Sequence, residues 1–271
     1  MPTNKYLDIQ IHLLGPVEVL INGSLLEIKS RKAKSLLAIL ALNANKLVST
    51  SRLVQELWPS EDEAKSKNAC HATISRLRRI LEQNNSNIIK TYADGYCLSI
   101  RSDDVDSSSF ETGFYDVEIL REKNPNKARL AAESALTLWR GHAFDGVDSC
   151  PVLEAERTHL QEQRINLQLI LASLLIQERK YVEANRWLVP LIKTHFEWEK
   201  VHGLYMISLY GQGRQLEALE HYRNLVKRLR EEFGLQPLEE ISQIHSKILV
   251  HDMRVLDSNA LFENNKPYKI F

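Results

Sequence analysis

The stretch whose residue types and spacing can do chemistry is Asn68–Leu81, NACHATISRLRRIL. Cys70, Ile74, Leu77 and Leu81 recur at spacings of three and four, which predicts an amphipathic helix with an apolar stripe. On the other side lie His71, Ala72, Ser75, Arg76 and Arg79: short hydrogen-bonding side chains, one methyl group and two guanidinium forks. Between Lys65 and Lys90 there are six Lys or Arg and a single acid, Glu82. Such a face suits the major groove of double-stranded DNA, where Arg can bond bidentately to guanine and a small apolar side chain can touch a thymine methyl. The alternative is a solvated basic face on an ordinary helix, and the neighbouring elements discriminate between the two.

Those neighbours read as a frame for a recognition helix. Tyr6 to Leu14 alternates as a strand, Val17 to Ile21 follows, and Asn22–Gly23 is a strong hairpin signal leading to a third strand over Leu25 to Ile28. Ser30 can cap a helix over Arg31 to Asn43 whose inner face is Ala33, Leu36, Leu37 and Leu40. Ser49 can cap a short second helix carrying Leu53, Val54, Leu57 and Trp58, which Pro59 stops. An acidic loop, SEDEA, precedes the central helix, and Asn84–Asn85 follows it. IIKTYADGYCLSI then predicts two short strands around Ala93–Asp94–Gly95. Sheet, three helices and hairpin, with the basic helix third, make a winged helix-turn-helix over residues 1–101.

Residues 102–109, SDDVDSSS, read as a polar boundary, and the remainder reads as helices. RKYVEANRWL at 179–188 is echoed by GRQLEALEHY at 213–222, an offset of 34 residues. That is the period of tetratricopeptide helix pairs. The predicted fold class is mainly α with a small antiparallel β part: the winged helix-turn-helix, then an all-helical tetratricopeptide-like domain over 106–250. A tail, 251–271, reads as disordered or loosely docked. Trp139, Trp187, Trp198, Tyr205, Tyr210 and Tyr222 read as packing residues of the helical part.

The chain has 271 residues and no net formal charge, but residues 1–101 carry 14 Lys or Arg against 9 Asp or Glu, and the other 170 carry 21 against 26. A basic first part suggests a polyanionic partner. Three scattered cysteines, Cys70, Cys97 and Cys150, fit reduced thiols in a cytoplasm. There is no apolar run of the roughly 18 residues a membrane span needs, and no signal-peptide pattern at the start. Neither a phosphate-binding glycine motif nor a zinc-protease spacing occurs, so no catalytic residue, metal or cofactor is expected. His195 and His202, seven apart, could share a helix face but lack a third ligand. Glu217 and His221 read as a surface pair at i, i+4.

Together these residues resemble the Streptomyces antibiotic regulatory protein family, which joins an OmpR-like winged helix-turn-helix to a bacterial transcriptional activation domain. The resemblance is carried by LLGPVEV (13–19), RKAKSLLAILALNANKLVSTSRLVQELWP (31–59), NACHATISRLRRIL (68–81), DGYCLSI (94–100), ALTLWRGHAF (135–144), LYGQGRQLEALEHYRNL (209–225) and EEFGLQPLEEI (231–241). It spans residues 7 to 249. It implies a cytoplasmic, nucleoid-associated bacterial activator that binds direct repeats near promoters, pairs as a homodimer on DNA and recruits RNA polymerase holoenzyme. It places His71, Ala72 and Arg76 at base-reading positions, and Thr73, Ser75, Arg78 and Arg79 at phosphate-holding ones. The family's wing carries an Arg for the minor groove; here that position holds Tyr92, with Lys90 two residues before. The expected protein lacks a receiver domain ahead of the winged helix and a nucleotide-binding domain after the helices. Two rival readings are a scaffold whose helical repeat holds a partner peptide and a regulator that senses a ligand in the helical array.

Overall fold

The computed structural model describes residues 8–59, 62–81 and 88–256. Residues 1–7, 60–61, 82–87 and 257–271 lie outside it, including the start of the first predicted strand at Tyr6, the Asn84–Asn85 turn and most of the predicted tail. The chain packs as two compact units: residues 1–116 with 134–164, and residues 117–133 with 165–271.

The first unit opens with an antiparallel sheet of β1 (Ile9–His12), β2 (Glu18–Ile21) and β3 (Ser24–Leu26). Ile9 pairs with Ile21 and His12 with Glu18. Asn22 and Gly23 both have positive φ, 50° and 75°, the geometry a two-residue hairpin turn requires. β3 is shorter than the predicted Leu25–Ile28 strand. Ser30 caps α1 (Arg31–Leu42), its Oγ accepting from the Ala33 N–H at 3.3 Å. The predicted inner face of α1 is fully buried, but so are Ala38, Ile39 and Ala41, so the helix is enclosed on nearly all sides. Ser49 caps α2 (Thr50–Leu57) as expected, and also belongs to β4 (Val48–Ser49), a strand too short for periodicity to reveal. α3 (Glu63–Leu81), β5 (Ile89–Tyr92) and β6 (Gly95–Leu98) follow, with strand order β4–β6–β5.

The polar segment 102–109 is built into the fold. After a short 3-10 turn, Val105 is fully buried and makes a parallel bridge with Ile11. Asp106, the first residue of α4 (Asp106–Leu120), is 7% exposed, and its two carboxylate oxygens accept from the N–H groups of Leu13, at 2.6 Å, and Leu14, at 3.1 Å. The loop after α5 (Pro125–Thr137) returns to the same place. Arg140 and Phe144 donate their backbone N–H groups to Leu14 and Leu13 carbonyls, and Phe144 is buried. Ser35 on α1 exchanges two hydrogen bonds with the backbone of Asp148. Phe110 meets Trp139 edge to face at 5.3 Å. The core around the winged helix thus draws on residues 105–110 and 139–148 in addition to 8–101.

The second unit is helical: part of α4, α5 and α6 (Pro151–Gln177), with α7 (Tyr181–Thr194), α8 (Glu199–Gly211), α9 (Gln215–Arg228), a π turn (Leu229–Phe233) and α10 (Glu239–Leu249). The 34-residue echo is structural. Arg179 and Gly213, 34 apart, both adopt positive φ just before α7 and α9, and Ala184 and Ala218 are both fully buried. Gly211 is needed where it stands, because a Cβ there would lie 2.4 Å from the Tyr181 ring. Among the aromatic residues read as packing, Tyr210 in this unit and Trp139 in the first are buried, while Trp187, Trp198, Tyr205 and Tyr222 are half-buried.

Two expectations about histidines fail. His195 caps α7 at its C-terminus and stacks on Trp198, while His202 lies in α8, so they share no helix face. Glu217 bonds Arg214 instead of His221. His221 stacks on His202, with Nε2 2.8 Å from its Nδ1. His202 Nε2 lies 2.9 Å from the Phe196 carbonyl, so that nitrogen carries the proton, and His221 Nε2–H must then donate to His202 Nδ1. Both imidazoles are held neutral, burial lowering each to about 4.

Two outcomes follow. Asp106→Ala should destabilise the chain by about 1–3 kcal/mol by leaving two buried N–H groups unbonded, with Asp106→Asn milder, as thermal denaturation will show. Because both histidine values are lowered from 6.5, the unfolded chain binds protons that the folded chain refuses once pH falls below 6.5. Stability should be insensitive to this pair above that value and decline between 6.5 and about 4. The decline should be shallower in His221→Phe; identical profiles for the two proteins would show that the pair does not titrate in this way.

Candidate nucleic-acid interface

α3 begins at Glu63, five residues before the predicted stretch. Asp62 starts it, Oδ1 accepting from the N–H groups of Ala64 and Lys65 at 3.0 and 3.2 Å. Cys70, Ile74, Leu77 and Leu81 are all buried, as the spacing predicts, and burial pushes the Cys70 thiol up to about 11, which removes it as a nucleophile near neutral pH. His71, Ala72, Ser75, Arg76 and Arg79 are exposed on the opposite side. At 100° per residue, Lys65 and Asn68 fall within the same exposed arc, close to Ala72 and Arg76. Sequence reading left Lys65 off the face because it started the helix at Asn68, and left Asn68 unassigned at that end; Asp62 as an N-cap was the available signal.

Two of the residues expected at phosphates are elsewhere. Thr73 is 8% exposed, and its hydroxyl donates to the Ala69 carbonyl at 2.8 Å, one turn back in the helix. It lies on the edge of the core side, where the 100° step puts it. Arg78 is half-buried and turned toward the hairpin. Its Nη2 donates to the Ile89 carbonyl and to Thr91 Oγ1, both at 2.6 Å, and its Nε to the same carbonyl at 3.1 Å. The guanidinium also sits 5.9 Å from the centre of the Tyr96 ring. Arg78 is a brace between α3 and the hairpin.

The wing is the β5–β6 hairpin. Lys90, Thr91 and Tyr92 are exposed, Tyr92 by 50%. Gly95 permits the closeness of β4 and β6: a Cβ there would stand 2.1 Å from the Val48 carbonyl oxygen. The Thr50 N–H, at the start of α2, donates to the Asp94 carbonyl at 2.8 Å. His71 meets Tyr96 edge to face at 6.4 Å. The α3 face and the hairpin are therefore fixed in one frame. It offers cations and hydrogen-bonding groups and, among the described residues, no cluster of three metal-ligating side chains.

A helix-turn-helix whose third helix exposes a basic face beside a braced hairpin defines an OmpR-type winged-helix regulator, here followed by the helical array. Comparisons agree. A model of the C-terminal domain of transcriptional regulatory proteins matches residues 27–98, and one of the bacterial transcriptional activator domain matches 105–249. The transcriptional regulator RedD of Streptomyces coelicolor is 30% identical over 265 residues, 96% of this chain and 75% of RedD. The regulatory protein DnrI of Streptomyces peucetius is 26% identical over 90% of this chain and 93% of its own length. The regulatory protein AfsR of Streptomyces griseus is 28% identical, but the match spans only 24% of AfsR. A solved structure of Mycobacterium tuberculosis EmbR in complex with a low-affinity phosphopeptide superposes with a TM-score of 0.84 at 23% identity, over 93% of this chain and 68% of that one. The chain belongs to the Streptomyces antibiotic regulatory protein family of transcriptional regulators.

The geometry separates the arginines. Arg76→Ala and Arg79→Ala should weaken DNA binding with little change in melting temperature, Arg76→Ala by about 1–3 kcal/mol on a site where it grips guanine. Arg78→Ala should instead lower the melting temperature, because it removes the brace to Ile89 and Thr91. Melting and gel-shift measurements on the three variants decide; an unchanged melting temperature for Arg78→Ala would mean the brace is dispensable.

Proposed function

We propose that the protein is a sequence-specific activator whose α3 enters the DNA major groove and whose helical part contacts RNA polymerase holoenzyme. The observation that carries the reading is the exposed arc of α3, Lys65 through Arg79, held beside the hairpin. His71, Ala72 and Arg76 read base edges. Ser75 and Arg79 hold phosphates, joined by Lys65 and Asn68. Thr73 and Arg78 are withdrawn from that role. The wing brings Lys90 to the backbone, and Tyr92 supplies packing or a phosphate hydrogen bond in place of minor-groove charge.

The protein acts in the bacterial cytoplasm, at the nucleoid; among the described residues no helix is long and apolar enough to cross a membrane. Two copies lie side by side in one orientation on direct repeats near a promoter. Equivalent grooves on one DNA face demand repeat centres about 10–11 base pairs apart, or a multiple. The activator-domain match over 105–249 supports a polymerase contact by the helices.

Footprinting of the full chain on its operator should show such direct repeats. Inserting about 5 base pairs between them should turn the second copy to the opposite face and abolish joint binding. Transcription by purified polymerase should rise with the full chain and fall with the insertion. An inverted-repeat footprint would require a two-fold dimer instead, and a footprint without activation would remove the polymerase contact from this reading.

A further inference from the structure

The second unit carries a groove that DNA recognition does not use. It has a volume of about 790 Å³ and lies between α9 with its π turn and α10. Its floor is apolar and aromatic. Val226 and Leu249 line it, Leu249 being 49% exposed, and the Tyr222 ring stacks on His245 at 4.0 Å with 16° between planes. The Ser242 hydroxyl donates to the Leu238 carbonyl, so the Tyr222 hydroxyl must donate to Ser242 Oγ, 3.1 Å away, and the ring is held in place.

The rim is cationic. Arg223, Lys227 and Arg230 stand at i, i+4 and i+7, a row about 10 Å long. Glu231 is the acid lining the groove. Nearby arginines are neutralised: Arg214 pairs with Glu217, Arg228 with Glu232 and Arg254 with Asp252. Among the described residues the three groove cations form no ion pair and no hydrogen bond. The π turn begins at Leu229, beside Arg230, and such local widening is frequent at functional sites.

We propose that this groove docks an acidic, amphipathic helical segment of a partner protein. Exposed charges at a rim around an apolar floor are the layout of a protein interface; a small-molecule site buries a few placed polar groups instead. The cation spacing matches carboxylates one and two turns apart on a partner helix, and apolar side chains between them meet Val226, Leu249 and Tyr222. The inference rests on the reading above that the helical part contacts a protein, and it specifies the chemistry of that partner.

The test uses the full chain and a fluorescein-labelled amphipathic peptide of Glu and Leu, read by anisotropy at low ionic strength. Arg223→Glu with Lys227→Glu and Arg230→Glu should weaken peptide binding at least tenfold and leave the melting temperature unchanged. Val226→Ser should weaken it without changing charge. Arg76→Ala with Arg79→Ala should leave it intact. A peptide with Ser for Leu should bind the wild type at least tenfold more weakly. Equal binding of the two peptides, or insensitivity to the groove substitutions, overturns the proposal. So does loss of operator affinity in the groove variant with a flatter salt dependence, which would give the groove to DNA. In a promoter reporter, the groove variant should bind the operator normally and lose at least tenfold in activation. Peptide binding with a reporter that the wild type cannot activate would keep the groove and overturn the polymerase reading. An active reporter without peptide binding would overturn the groove alone.

Discussion

The N–H groups of Leu13 and Leu14 follow β1 into the core, where both side chains are fully buried. The Asp106 carboxylate answers both. Burial pushes its pKa up, opposed by those same two N–H groups, by His12 and by Arg140, whose Nη2 lies 3.7 Å away. Each partner is thereby committed: an uncompensated charge or two orphan donors would result from losing the other. The Leu13, Leu14 and Gly15 carbonyls in turn accept from Phe144, Arg140 and Asp145. One strand end is thus bonded to the start of α4 and to the loop after α5, and α3 rests on the core they close.

That frame clarifies how charge is used. The count along the chain suggested a basic part and an acidic part. The compact units divide it differently, with 17 Lys or Arg and 19 Asp or Glu in the first, and 18 and 16 in the second. Acids from 102–116 and 134–164 fold into the unit that carries α3, two of them in structural roles: Asp106 at the backbone and Asp148 against Arg31 and Lys32. An overall basic half is therefore not what would attract DNA. The positive field is local, made by an outward α3 face without acids; the acid of α3, Glu63, lies on the side of Leu81 and pairs with Lys67 at 2.7 Å.

Arg78 shows the same economy. Four residues in a run, Arg76 to Arg79, contain three guanidinium groups, and the helical step sends them different ways. Arg76 and Arg79 face outward, whereas Arg78 lies at the arc's edge next to the hairpin. There its fork meets a strand carbonyl and a threonine hydroxyl, two acceptors supplied by β5. The outward basic face and the orientation of the wing are thus built from neighbouring residues of one type.

Much of this protein was legible in the sequence because it is set by short-range geometry. The Asn22–Gly23 turn, the Ser30 and Ser49 caps, the Cys70–Leu81 stripe and the 34-residue echo each depend on residues within one or two turns or on a repeated unit, and periodicity reports them directly. The family resemblance was equally readable, since its motifs are contiguous. Other features arise between residues far apart in the chain, and no local pattern carries them. Asp106 reads as part of a polar boundary at a helix start, and nothing local shows that Leu13 and Leu14, 93 and 92 residues away, present their N–H groups to it. β4 exists only because Gly95 lets it approach β6. Thr73 and Arg78 have the types that hold phosphates, but their rotation about the helix axis directs one to its own backbone and the other to the wing. Residue type and periodicity determined which helix carries a basic face; tertiary contacts decided which of its side chains face outward, because a side chain's partner is chosen by what the folded chain brings beside it.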